Sequence, residues 1–257
     1  MTAMKNPDYS QISTTLTEYL NLRHAPIAIS FADAIPADVR EFDGRVAAGC
    51  RFWEDAAAGA FATSANDHNL CAIGVYTHNL QSSLGQQTDL GDALKVFGDL
   101  GYVRKEDLPL IPVLQSQPKY VIYSPLAEAK LAPDVVLLFA DAGQNLILTE
   151  ATQQVESQNP PAMGRPACAV VPQVMNTGRG ALSGGCCGAR AYLDILTDDV
   201  ALFGIPGTKL QAYTDRIEAL AKANAMLATF HRIRRTEIAN GMTPTIKDSL
   251  ASLTASM

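Results

Sequence analysis

Apolar residues near the start of the chain recur at helical spacing. Ile12, Leu16, Tyr19 and Leu20 form one stripe behind Asp8 and Gln11, a capping-box spacing, and together predict a helix from about Asp8 to Arg23. Pro26 stops it, and the short β-branched run Ile27 to Phe31 predicts a buried strand. A polar connector through Gly44 leads to GCRFWEDAAAGAF, whose alanines predict a short helix starting near Cys50. After the turn SANDHN, LCAIGVYTHNLQ predicts a second short helix beginning near Cys71. A Gln- and Gly-rich loop then precedes a helix over Leu90 to Leu100.

Tyr120 to Tyr123 and Val135 to Phe139 are the clearest strands, each ended by turn residues. Asp141 is placed to cap a helix reaching about Val155. The stretch GRPACAVVPQVMNTGRGALSGGCCGAR carries the greatest density of Gly, Pro and Cys and is the expected site. A strand near Ala201 to Ile205 follows, and then a long helix opened by Thr208 and Gln211 at capping-box spacing. Its stripe of Leu210, Tyr213, Ile217, Leu220 and Leu227 either packs on the domain or forms the seam of a homodimer. Strands and helices alternate irregularly, with no repeat and no break in composition. The expected fold is one compact mixed α+β (α/β) domain over residues 1–257, with a mixed sheet, flanking helices and a long C-terminal helix over about 208–238.

Composition narrows the function classes. A chain of 257 residues with 47% hydrophobic and 18% charged residues can bury a core without cross-links, which argues against disorder and coiled coil. The formal charge of −6 argues against a nucleic-acid or anionic-membrane role. The basic run HRIRR from His231 to Arg235 reads as a solvated turn of the last helix. No stretch is apolar enough to span a bilayer and the N-terminus lacks the pattern of a signal peptide, so a soluble, cytoplasmic protein is expected.

That leaves five cysteines without a structural reason: Cys50, Cys71, Cys168, Cys186 and Cys187. In a reducing compartment an odd set of thiols points to core residues, metal ligands or reactive groups rather than disulfides. Four of them fall where a turn enters an element, and a helix start favours the thiolate that binds metal. No C-x-x-C pair is present and the intervals match no zinc ribbon or ferredoxin run. A 4Fe-4S core held by four thiolates carries a net charge of about −2. Arg51, Arg165, Arg179 and Arg190 lie close in sequence to offset it, and the amides of Gly184, Gly185 and Gly188 are placed to donate to sulfur.

The segments GCRFWEDAAAGAFATSANDHNLCAIGVYTHNL, PDVVLLFADAGQ, GRPACAVVP and SGGCCGARAYLDILTDDVALFGIPG resemble the archaeal-conserved-region (ArCR) family, a bacterial and archaeal domain of unknown function, from about residue 20 to 225. The resemblance implies a cytoplasmic single domain in which Cys50, Cys71, Cys168 and Cys186 match recurring cysteine positions, with Cys187 a bystander. It carries no activity.

The leading expectation is an iron-sulfur protein whose 4Fe-4S cluster is held by Cys50, Cys71, Cys168 and Cys186, serving electron transfer or redox chemistry on a small anionic substrate. His68, beside Asp67, and His78, two helical turns beyond Cys71, are candidate contacts to substrate or ligands; so is Arg190, whose alternative is a structural ion pair. Trp53 reads as core. The expected partner is a small-molecule ligand or a redox protein. Two alternatives are a zinc-stabilised small-molecule binding module and a metal-free thiol enzyme using Cys186.

Overall fold

The computed structural model describes residues 7–80 and 84–256. Its strands are β1 (Ile27–Ala32), β2 (Arg40–Glu41), β3 (Phe61–Ser64), β4 (Tyr120–Pro125), β5 (Val135–Asp141), β6 (Ala162–Met163), β7 (Ala181–Ser183) and β8 (Val200–Pro206). Its helices are α1 (Tyr9–Leu20), α2 (Arg51–Asp55), α3 (Ala72–Thr77), α4 (Leu84–Asp99), α5 (Ala142–Glu156), α6 (Val170–Thr177), α7 (Cys187–Tyr192), α8 (Leu210–Ala239) and α9 (Ile246–Ser256). The strands make one mixed sheet in the order β2-β3-β4-β1-β5-β8-β7-β6. Among the described residues only the two edge pairs, β2 with β3 and β6 with β7, run parallel; the others are antiparallel.

Successive side chains of a strand point to opposite faces, and here each face has its own core. Ile27 and Ile29 of β1, Val121 and Tyr123 of β4, and Val135, Leu137 and Phe139 of β5 join one core with α2, α3, α6 and α7. Ala28, Val136, Leu138 and Ala140 face the other way and meet α1, α5 and α8. The long helices α1, α5 and α8 therefore cover one side, and the other side is built from short helices and loops, with the longer α4 packed on α3. All four predicted ligand cysteines lie on that second side.

Several boundaries differ from those expected. Helix α1 stops at Asn21, in the left-handed region with φ 51°, before Pro26 is reached. The alanine-rich stretch near Cys50 does not stay helical: after α2 and one 3-10 turn it becomes β3, four residues too short to show alternation. The expected Gln- and Gly-rich loop is helical from Leu84, and residues 81–83 lie outside the described ones. The Gly-, Pro- and Cys-rich stretch folds into a 3-10 turn, α6, β7 and the first part of α7. Asp141 caps α5 as a full capping box with Gln144. Thr208 does not cap α8, because Gly207–Lys209 forms a 3-10 turn and Lys209 takes the cap position without a side-chain bond.

Within α8, Leu210, Tyr213 and Ile217 are buried on α1 and α5, whereas Leu227 is 53% exposed. The predicted stripe thus packs on the domain only over its first half. The HRIRR run is inside α8, and α9 follows it; Arg234 donates to Pro244 O and Ser249 Oγ across that hairpin. No helix among the described residues is long and apolar enough to cross a membrane.

Candidate functional site

Each of the four cysteines opens a short element on the same side of the sheet. Cys50 is the N-cap of α2, Cys71 of α3 and Cys186 of α7, and Cys168 lies in the 3-10 turn Ala167–Ala169 that runs into α6. The chain folds these turns together because Phe52, Trp53, Val75, Val170, Val171, Val174 and Ala189 on the same elements bury against one sheet face. The thiols converge closely enough to act on one another electrically. Cys50 is pushed up to about 12 by burial, then by Cys71 and Cys186. Cys168 is raised well above the ordinary thiol range by burial, then by Cys71, with Cys186 and Cys50 adding to it. Cys50 and Cys168 are buried, Cys71 and Cys186 half-buried, and Cys187 is exposed.

The polar atoms around them have defined orientations. Thr63 donates its hydroxyl to Val121 O at 3.2 Å, so at 3.1 Å it accepts from His68 Nε2. This assigns the proton to Nε2 and leaves His68 Nδ1 with a bare lone pair, buried and without a partner. His78 donates from Nδ1 to Gly74 O at 3.0 Å, and its Nε2 is likewise buried and unpartnered. Burial holds both imidazoles neutral, His68 at about 3 with help from His78, and His78 at about 4. Their rings lie 6.1 Å apart.

A Cβ added to Gly49 would stand 2.9 Å from His68 Nδ1 and 3.7 Å from Cys71 Sγ. On Gly74 it would stand 3.0 Å from that sulfur and 3.6 Å from Nδ1. The two glycines thus cradle the imidazole lone pair and the Cys71 thiol in one small space. Tyr123, fully buried on β4, completes the floor. Its hydroxyl has no partner, and its ionisation is suppressed by burial first and then by Cys168, Cys71 and Cys50. The Thr77 hydroxyl has two acceptors within reach, Gly74 O at 3.2 Å and Cys168 Sγ at 3.3 Å. The amide of Ala189 donates to Cys186 Sγ at 3.4 Å.

Other expected roles fall elsewhere. Asp67 binds the amide and hydroxyl of Ser64, not His68. His78 does not lie two turns along a helix, since α3 ends at Thr77, yet the C-cap position still brings its ring beside His68. Arg190 clamps its own loop through the carbonyls of Gly184, Leu196, Thr197 and Val200. Arg51 pairs with Glu54 and Asp55, and Arg179 with Glu156, so these cations are matched away from the thiols. Gly184 N and Gly185 N bond Met163 O and Ser183 Oγ rather than sulfur. Trp53 is core, as expected. Sequence reasoning missed Thr63, Thr77 and Tyr123, whose roles depend on strand register and on contacts as distant as Thr77 with Cys168.

Among the described residues, no three or more His, Cys, Asp or Glu side chains are set to hold a metal ion as the chain stands. His68 Nδ1 and the Cys71 thiol share one small space, and Tyr123 with the buried Cys50 and Cys168 belongs to the same core. A family model described as Uncharacterised ArCR matches residues 15–216. No curated protein and no solved structure matches the chain.

Proposed function

The chain belongs to the uncharacterised ArCR family, and we propose that it is an iron-sulfur protein in which Cys50, Cys71, Cys168 and Cys186 hold one 4Fe-4S cluster. The observation that carries this reading is the convergence of those thiols on a space where Tyr123 Oη and His68 Nδ1 are buried without partners. Each orphaned buried polar group costs about 1–3 kcal/mol, so a fold that gathers several in one place is completed by something that satisfies them.

A four-iron cluster and one zinc ion ask different spacings of the thiols. A single ion draws four sulfurs onto bonds of about 2.3 Å to one centre. A four-iron core bonds each sulfur to a different iron and so takes ligands set wider apart. The metal-free alternative rests on the half-buried Cys186 alone, because burial keeps Cys50 and Cys168 protonated and hence poorly nucleophilic.

When bound, the cluster supplies one-electron transfer to a redox partner or to a small anionic substrate. The chain's own groups define the environment. The Ala189 amide donates to sulfur, with the Thr77 hydroxyl within reach of Cys168 Sγ; such donation raises a reduction potential, and Phe52, Phe61 and Tyr123 stack around the inner side to keep water out. Cys71 and Cys186 form the half-exposed side, where a partner makes its approach. Buried free thiols of this kind accord with a reducing cytoplasm. Metal and sulfide analysis of anaerobically purified protein tests the reading; stoichiometric zinc without sulfide would replace it with the zinc-binding module.

A further inference from the structure

Beside the thiol region lies a groove of about 540 Å³, a volume within the range of small-molecule sites. Its walls come from the segment after α4, from β6 and from α6. Leu110, Ile111, Pro112 and Met163 give it an apolar lining. Two polar features stand at one end. Arg165 lies over the Tyr102 ring with its guanidinium carbon 4.0 Å from the ring centre, and one of its nitrogens donates to Tyr102 O. Among the described residues no carboxylate pairs with Arg165, whereas Asp107, the acid on the wall, is held by Arg104 at 2.7 Å.

The same end of the groove touches the cysteines. The Tyr102 hydroxyl lies near the thiols of Cys187 and Cys186. Met163 O accepts from Gly184 N at 3.3 Å, so the strip from Met163 to Arg165 runs alongside the loop that carries Cys186. Arginine's planar fork matches a carboxylate, and stacking on Tyr102 fixes the direction of that fork. One cation with an acid on the same wall suits a monoanion better than a dianionic phosphate.

We propose that this groove binds a small organic carboxylate with an apolar body, its carboxylate on Arg165 and its body along Leu110, Ile111 and Met163. The binding step stands without a cluster; only its meaning, a substrate placed at the Cys186 side of the metal centre, rests on the iron-sulfur reading. Gly164 offers a way to block the groove, because a Cβ there meets nothing within 4 Å and its φ is not in the left-handed region. Leu at that position fills space without straining the backbone.

The test uses the full chain, purified anaerobically, with 3-phenylpropionate as probe and its neutral amide and phenyl phosphate as comparisons, followed by calorimetry and ligand-detected NMR. The carboxylate is expected to bind with a Kd below about 10 mM and at least about tenfold more tightly than the amide. Arg165→Gln removes that preference, and Gly164→Leu weakens acid and amide alike with no change in melting temperature. Absence of binding by the carboxylate, equal binding of acid and amide, tighter binding of phenyl phosphate, or a preference that survives Arg165→Gln overturns the proposal. Iron and sulfide measured on the same sample show separately whether the cluster reading stands.

Discussion

A phenol hydroxyl held in a fully buried position without a partner destabilises a fold by about 1–3 kcal/mol, and Tyr123 has such a hydroxyl within electrostatic reach of three thiols. Tyr123→Phe removes it at constant shape. In the metal-free chain this change leaves stability equal or raises it by up to about 1–3 kcal/mol in urea unfolding, because an unsatisfied group disappears. In the loaded protein it lowers the reduction potential, read by spectroelectrochemistry, since a donor near sulfur is lost. A loss of metal-free stability would show that the hydroxyl already has a partner. Gly74→Ala acts from the opposite wall: a Cβ 3.0 Å from Cys71 Sγ displaces that thiol, and iron content falls several-fold while far-UV circular dichroism stays that of the parent. The cysteines themselves were legible in sequence because each marks a local turn into an element. Two of the nearby arginines have local partners instead: Arg51 meets Asp55 one helical turn on, and Arg190 finds carbonyls within its own loop. Thr63 and Tyr123 gave no signal, since Thr63 sits opposite Val121 and Tyr123 opposite Phe61 only through the register of β3 on β4.

Between elements, the clearest tie is Glu156 at the end of α5. Its buried carboxylate meets Lys209 Nζ at 3.2 Å, Tyr213 Oη at 3.0 Å, the amide of Gly180 at 3.0 Å and Arg179 Nε at 3.6 Å, joining α5 to the start of α8 and to the turn before β7. Breaking a fully buried pair costs about 3–5 kcal/mol; Lys209 and Arg179 keep contact with water, so Glu156→Ala is expected to cost about 2–3 kcal/mol in urea unfolding, with iron and sulfide content unchanged. Gly207 is a harder constraint, for a Cβ there would stand 1.6 Å from Pro133 O, and Gly207→Ala should prevent the β5 and β8 ends from closing, seen as loss of the cooperative melt. Elements with strong periodicity, α1, β1, β4, β5, α5 and β8, are visible in sequence. Strands β3, β6 and β7 have four residues or fewer and exist because a neighbour supplies their hydrogen bonds, which no local pattern reports.

At the scale of the whole molecule, the sheet separates a side of long helices from the side that carries the cysteines. Helices α1, α5 and α8 bury one face, and the short helices that begin at cysteines occupy the other. The hairpin of α8 and α9 extends the long-helix side, and α9 packs on α8 through Glu237, Ser249 and Ser252. A chain ending at Asn240 is therefore expected to keep its iron and sulfide content and lose only the helical signal of α9 by circular dichroism. The family match over residues 15–216 contains the thiol region and stops near the first half of α8. The most direct measurement of the central claim is iron and acid-labile sulfide per chain, with the visible spectrum, on anaerobically purified protein and on Cys→Ser variants at positions 50, 71, 168 and 186. A 4Fe-4S site predicts about four irons matched by sulfide, broad absorbance near about 400 nm, and loss or sharp weakening of both in each variant but not in Cys187→Ser. Colourless parent protein without iron or sulfide, or variants that leave both unchanged, would contradict it.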